Sequence, residues 1–120
     1  MVLIIDDNLD TASALARLLK RREQDAVAVD SGPAALELLE TMRPSVIVLD
    51  VMMPRMDGLE VLKHLRGTPV LKDVPVIIFS ADFRIETARR AAELGAKAYL
   101  VKGTVEWKHL CDTIGKLASA

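Results

Sequence analysis

Five short runs of strand-forming residues alternate along this chain with stretches of helical periodicity, a pattern that builds a parallel sheet with helices on its faces. Four of the runs are Val2-Leu3-Ile4-Ile5-Asp6-Asp7, Val46-Ile47-Val48-Leu49-Asp50, Val76-Ile77-Ile78-Phe79-Ser80 and Ala98-Tyr99-Leu100-Val101-Lys102. Each is apolar until its last positions and then turns acidic, hydroxylic or basic. The runs in first, third and fourth place are continuously apolar, as central parallel strands covered on both faces must be. The second run, Ala26-Val27-Ala28-Val29-Asp30, and the fifth are weaker or mixed, which suits sheet edges. Two edges and three central strands match the doubly wound order 2-1-3-4-5.

The sequence places the elements as follows. The first strand covers about Val2–Asp6, and Asp10 or Thr11 caps a helix whose apolar positions are Ala12, Leu15, Leu18 and Leu19. Lys20, Arg21 and Arg22 fill its last turn, where the helix dipole favours positive charge. The second strand is Ala26–Asp30. Ser31 caps the second helix with Pro33 near its first position, Leu36, Leu38, Leu39 and Met42 continue it, and Pro44 stops it. The third strand is about Ser45–Asp50, followed by a loop with Met53-Pro54 and Asp57-Gly58. The third helix carries Leu59, Leu62 and Leu65 up to Gly67. The fourth strand starts after Pro75. The fourth helix runs roughly from Ile85 to Leu94 and ends at Gly95 in the left-handed cap position. The fifth strand is Ala98–Val101, and Trp107, Leu110, Cys111, Ile114 and Leu117 mark the stripe of the last helix.

Bulk properties narrow the function classes. The 120 residues suit one domain, expected over 1–120, that buries a core without disulfides. Sixteen basic residues against seventeen acidic ones give a net charge of −1, so no basic field holds DNA or RNA and direct nucleic-acid binding is not expected. No apolar run approaches the ~20 residues that span a bilayer, and the first run ends in two aspartates without a basic region before it, unlike a signal peptide. Cys111 is the only cysteine, which points to a reducing, cytoplasmic setting.

Ligands of open parallel sheets bind outside the carboxyl ends of the strands. Asp6, Asp7, Asp50, Ser80 and Lys102 are therefore expected at one edge, with Asp6, Asp7 and Asp50 beside the crevice between the first and third strands. Three close carboxylates repel one another unless a cation sits among them. Magnesium takes oxygen ligands and keeps several waters. Asp7 and Asp50 are candidate direct ligands, Asp6 binds directly or through water, and a backbone carbonyl past the third strand adds another oxygen. Asp50 can also act as a nucleophile and accept a phosphoryl group as an acyl phosphate. Ser80 can hydrogen-bond one phosphoryl oxygen, and Lys102 supplies positive charge to another. Asp30 and Asp10 read as turn or cap residues and Asp57 as turn chemistry. His64 and His109 read as surface or packing residues, Cys111 as inert core, and Met52, Met53 and Met56 as side chains filling space around the acceptor loop. No glycine-rich phosphate cradle is present.

The ordered set of Asp6-Asp7, Asp50, Met53-Pro54, Asp57-Gly58, Ser80-Ala81 and Lys102 resembles the response-regulator receiver domains of two-component signalling, across essentially the whole chain. The resemblance implies a flavodoxin-like (βα)5 fold and a phosphorylation-dependent switch. In that reading Asp50 takes a phosphoryl group from a phosphohistidine of a sensor histidine kinase or histidine phosphotransfer protein. Asp6, Asp7, Asp50 and the main-chain carbonyl of Met52 hold Mg2+. Ser80 swings inward on phosphorylation, Tyr99 follows from an exposed to a buried rotamer, and Lys102 contacts the phosphoryl group. The face of the fourth helix, fifth strand and fifth helix then changes its contact with an output domain or downstream protein. Such a domain catalyses its own phosphorylation and dephosphorylation but turns over no external metabolite.

Two departures from the family pattern carry expectations. Gly103 follows Lys102 where the family usually has proline, so the Lys102–Gly103 bond is expected trans, because a cis non-proline bond costs ~2.5–4 kcal/mol, and the loop is expected to be looser. Lys97-Ala98 precedes Tyr99 where many DNA-binding regulators carry acidic residues used in a symmetric dimer, so a monomer is expected. Two other functions compete. An aspartyl-nucleophile phosphatase or phosphotransferase needs a general acid two residues past its nucleophile, and Met52 stands there. A docking module without phosphorylation would have no need of all five polar residues.

Overall fold

The structure, a computed structural model, describes residues 1–119; Ala120, the last residue of the expected domain, lies outside them. The elements in chain order are β1 (Val2–Ile5), α1 (Leu9–Lys20), β2 (Ala26–Val29), α2 (Gly32–Leu38), β3 (Val46–Leu49), α3 (Gly58–Arg66), β4 (Val76–Ser80), α4 (Ile85–Glu93), β5 (Ala98–Val101) and α5 (Trp107–Ala118). The five strands form one sheet in the order β2-β1-β3-β4-β5, with every neighbouring pair parallel. This is the flavodoxin-like (βα)5 architecture expected from the sequence.

Side chains alternate across a strand, and here the alternation divides the core in two. Leu3, Ile5, Ile47, Leu49, Val76 and Ile78 point to one face, where they pack with Ala35, Leu39, Leu62, Leu65 and Ala91 from the side of α2, α3 and α4. Val2, Ile4, Val46, Val48, Ile77 and Phe79 point to the other, against Ala12, Leu15, Leu19, Leu110, Cys111 and Ile114 of α1 and α5. Every residue of β1, β3 and β4 is buried, whereas β2 and β5 are only partly so. The continuous apolar runs are thus the central strands and the weaker runs are the edges.

Several local expectations need correction. The α1 cap is neither Asp10 nor Thr11 but Asn8, whose side chain accepts the Thr11 N–H at 3.1 Å. Asp10 sits in the first turn, where its charge opposes the helix dipole favourably. The second helix ends at Leu38, so Leu39 and Met42 lie in the turns that follow, their side chains still packed on the core. Asp57 does more than turn the chain: it caps α3, and Glu60 reaches back to its N–H in a reciprocal capping box. Ser31 caps α2 and Gly95 takes φ +85° after α4, both as expected.

Candidate phosphoryl-acceptor and metal site

Strand register brings the polar ends together. Ile5 pairs with Leu49, so Asp6 and Asp50, each one residue further on, emerge side by side, and the Asp50 N–H donates to the Ile5 carbonyl at 2.9 Å. Leu49 is level with Ile78 and Ser80 with Val101, which places Lys102 next in line, its N–H on the Ser80 carbonyl at 2.9 Å. Asp6, Asp7 and Asp50 can bring one carboxylate oxygen each within 4.8 Å of one another. Asp6 and Asp50 are 3% and 4% exposed, and Asp7 faces solvent.

One ammonium serves two of these carboxylates. Lys102 Nζ lies 2.7 Å from Asp6 Oδ2 and 3.1 Å from Asp50 Oδ2, and 5.7 Å from the centre of the Phe79 ring. Burial works most strongly on both Asp6 and Lys102, pushing the Asp6 carboxyl above its usual range against the pull of Lys102 and of the Asn8 N–H. The hydrogen bond to Asp6 and the charge of Asp50 nevertheless outweigh burial at Lys102 and carry its ammonium above the ordinary lysine value. The Lys102–Gly103 bond is trans, there being no cis bond among the described residues, and Gly103 has φ +83°. Lys102 is held by its carboxylates, and a looser loop does not leave its head group free.

The remaining donors orient the carboxylates. Met52 N–H donates to Asp50 Oδ1 at 3.0 Å and Asn8 N–H to Asp6 Oδ1 at 2.9 Å. The Met52 side chain is 56% exposed, and a thioether has no proton to give, so no general acid stands there. Met53 is buried and Met56 packs against the core beside it. Ser80 is fully buried, and its Oγ accepts the Asp82 N–H at 3.2 Å. Tyr99 is half-buried, with its hydroxyl donating to the Asp82 carbonyl at 2.6 Å. Burial, followed by the charges of Asp82 and Asp50, raises the Tyr99 phenol above its ordinary pKa. Both expected switch residues therefore converge on the backbone of one loop residue, Asp82. His64 and His109 are exposed on their helices, and Cys111 is buried in the core, each away from the strand ends.

Three contributions were not legible beforehand. Gly58 starts α3 directly on the Asp50 backbone: a Cβ there would lie 2.2 Å from the Asp50 carbonyl oxygen. The Asp57-Gly58 pair signals a turn, but only the packing shows what the glycine touches. Asp82 is buried, and the Arg84 guanidinium, with help from the Arg84 N–H and the Thr87 hydroxyl, holds its carboxyl down to about 2 against the effect of burial. Trp107 meets Phe79 edge to face at 5.7 Å, tying the start of α5 to the end of β4.

Residues 2–114 match the family model of the response regulator receiver domain, and the chain belongs to that family. It is 35% identical over 102 residues to the two-component response regulator ORR3 of Oryza sativa subsp. indica, a match covering 84% of this chain and 78% of the rice protein. Among solved structures it superposes on the Francisella response regulator 1452 receiver domain with a TM-score of 0.89 and 31% identity, covering 98% and 95% of the two chains. The signal receiver domain of a signal transduction histidine kinase from Syntrophus aciditrophicus gives 0.89 and 30%, covering 98% and 89%. The chain is a phosphorylation-dependent switch of two-component signalling that catalyses its own phosphorylation and dephosphorylation. Its acidic cluster is able to coordinate a metal ion. No helix among the described residues is long and apolar enough to cross a membrane.

Proposed function

We propose that Asp50 accepts a phosphoryl group from a phosphohistidine on a sensor histidine kinase or histidine phosphotransfer protein, with magnesium held by Asp6, Asp7, Asp50 and the Met52 main-chain carbonyl. The observation that carries this reading is the charge balance at the strand ends: three convergent carboxylates meet a single ammonium. Two negative charges are left over, and a hard divalent cation is the ligand that fits an all-oxygen, doubly negative site.

An Asp50 carboxylate oxygen attacks phosphorus. The O–P bond forms as the P–N bond breaks, and the imidazole leaves with that electron pair. Hydrolysis ends the signal: water attacks phosphorus and the carboxylate departs, regenerating Asp50 and inorganic phosphate. Bound magnesium supplies charge neutralisation at the phosphoryl oxygens. The Met52 N–H keeps the Asp50 carboxylate oriented, and Lys102, already on Asp50 Oδ2, offers its ammonium to the incoming group.

The product carries more negative charge than the carboxylate it replaces. Ser80 responds by turning its hydroxyl to a phosphoryl oxygen, which costs Asp82 N–H its acceptor. Tyr99 then governs the loop through the Asp82 carbonyl, and the face of α4, β5 and α5 passes the change to an output domain or downstream protein. Similarity to a histidine kinase receiver supports the choice of donor. A cytoplasmic, monomeric domain without direct nucleic-acid contact accords with the lone cysteine and the net charge of −1.

The test is intact-mass analysis after incubation with acetyl phosphate, with and without magnesium. The expected result is a magnesium-dependent gain of one phosphoryl group that vanishes in Asp50→Asn. A gain that persists in Asp50→Asn overturns the assignment of the acceptor.

A further inference from the structure

Helix α4 has little apolar attachment to the sheet. Only Thr87 and Ala91 are buried along it, so polar contacts at its two ends decide where it sits. At the front, the Asp82 carboxylate accepts from the Arg84 N–H at 2.9 Å, from Arg84 Nη2 at 2.7 Å and from the Thr87 hydroxyl at 3.0 Å. All these groups belong to residues 82–87, so the loop and the first turn form one body. That body hangs from the sheet through Ser80 Oγ and the Tyr99 hydroxyl, the two groups the phosphoryl-acceptor site controls.

The rear end is held differently. The guanidinium of Arg66, the last residue of α3, donates to four backbone carbonyls: Leu94 at 3.0 Å, Lys72 at 2.9 Å, Val74 at 3.1 Å and Gly95 at 3.2 Å. Leu94 caps α4 and Gly95 follows it, and the Leu94 carbonyl is among the groups a helix end leaves without an internal partner. Lys72 and Val74 belong to the turn leading into β4. A planar fork with five donors can join the two segments, whereas a lysine cannot. Close approach depends on Gly95, where a Cβ would stand 3.1 Å from Arg66 Nε. At its other end α3 starts on the Asp50 carbonyl, so the clamp is anchored to the frame of the acceptor.

The geometry points to Arg66 as a fixed pivot: α4 turns about its clamped rear end when residues 82–87 move, and the displacement is delivered at Phe83 and Ile85. Those two side chains, one in the loop before α4 and one at its first position, are 80% and 87% exposed, and they are what a partner reads. Arg66 is a positioning residue, acting on the switch through α4 and not on the phosphoryl group. The inference rests on the switch reading above.

Amide hydrogen exchange tests it in two arms. In the unphosphorylated protein, Arg66→Met should deprotect Leu94, Gly95 and Ala96 at least tenfold while Ala88 changes less than twofold. Arg66→Lys serves as the second variant should Arg66→Met fail to fold, with the same pattern expected. Unchanged protection at residues 94–96 overturns the clamp regardless of what happens at Asp50. In wild type, magnesium with beryllium fluoride, a phosphoryl mimic, should alter exchange at residues 82–88 and leave 94–96 within twofold. An equal response at both ends overturns the pivot. A response at neither end overturns both the pivot and the coupling of α4 to Asp50, and the first arm then shows whether the clamp itself stands.

Discussion

Gly103 and Asp82 show how single residues tune a site whose reactive groups lie elsewhere. Gly103 has φ +83° with open space around it, and the turn it makes is closed by the Thr104 and Val105 N–H groups on the Val101 carbonyl. Proline requires φ near −65°, so the residue usual in the family does not fit this backbone. Gly103→Pro should rebuild the loop, lower stability by more than ~1 kcal/mol and change the rate of labelling by acetyl phosphate. Chemical denaturation and time-resolved mass analysis check this, and unchanged values of both would overturn it. Asp82 titrates near 2 instead of 3.8 because Arg84 and Thr87 bind its charged form. A carboxyl with a depressed folded-state pKa stabilises the fold above its unfolded value and loses that contribution as pH falls through the folded one. The stability advantage of wild type over Asp82→Asn should therefore be full at pH 5 and shrink between about pH 4 and pH 2. Urea unfolding across that range reads it, and a pH-independent difference would count against the Asp82–Arg84 pair.

At the scale of elements, the contact between α3 and the loop after β3 constrains the Asp50 backbone. Asp57 and Glu60 stabilise the start of the helix by a reciprocal cap. Gly58 N–H binds the Val51 carbonyl at 3.0 Å, and the absence of a side chain lets the helix rest on the Asp50 backbone. Gly58→Ala must push backbone against backbone, because the obstructing atoms are a carbonyl and its neighbours and not the end of a flexible side chain. It should destabilise the fold by ~2–3 kcal/mol and slow phosphorylation by misplacing Asp50. Loss of stability without loss of labelling would show that the acceptor loop is set independently of α3. Gly32 differs: a Cβ there would meet side-chain atoms of Met56 at 2.8 Å and Val61 at 2.9 Å, and the flexible methionine can give way.

The whole molecule divides into two packed faces with different duties. One, under α1 and α5, is closed by large apolar side chains and by an Arg22–Asp112 ion pair at 2.6 Å from the turn after α1 to α5. The other ends in α4, where buried residues are small and polar contacts hold the helix. A switch needs one firm face and one that can shift at modest cost, and the distribution of side-chain size supplies both. Lys97 is exposed beside edge strand β5, where regulators that pair through this face carry acidic residues. Light scattering across a concentration series should report a monomer with and without beryllium fluoride and magnesium. A tight mimic-dependent dimer would overturn that expectation and make the exposed Phe83 and Ile85 part of a self-association surface.

The sequence by itself determined the strand order, the division into central and edge strands, and the set of polar residues at one edge of the sheet. These follow from local rules: side chains alternate along a strand, burial on both faces demands continuous apolar runs, and parallel strands bring their carboxyl ends to one side. Asp6, Asp50, Ser80 and Lys102 were legible because each closes an apolar run. Only the tertiary structure decided that Lys102 divides itself between Asp6 and Asp50, that Gly58 rests on the acceptor backbone, and that Arg66 clamps a helix 28 residues further along the chain. The physical reason lies in the acceptors. Arg66 and Tyr99 bind main-chain carbonyls, which nearly every position offers equally, so no residue type marks the partner. Even the start of α1 turned on which of several capping residues the chain direction brought over the helix end, and Asn8 took that place with its side chain while its N–H went to Asp6.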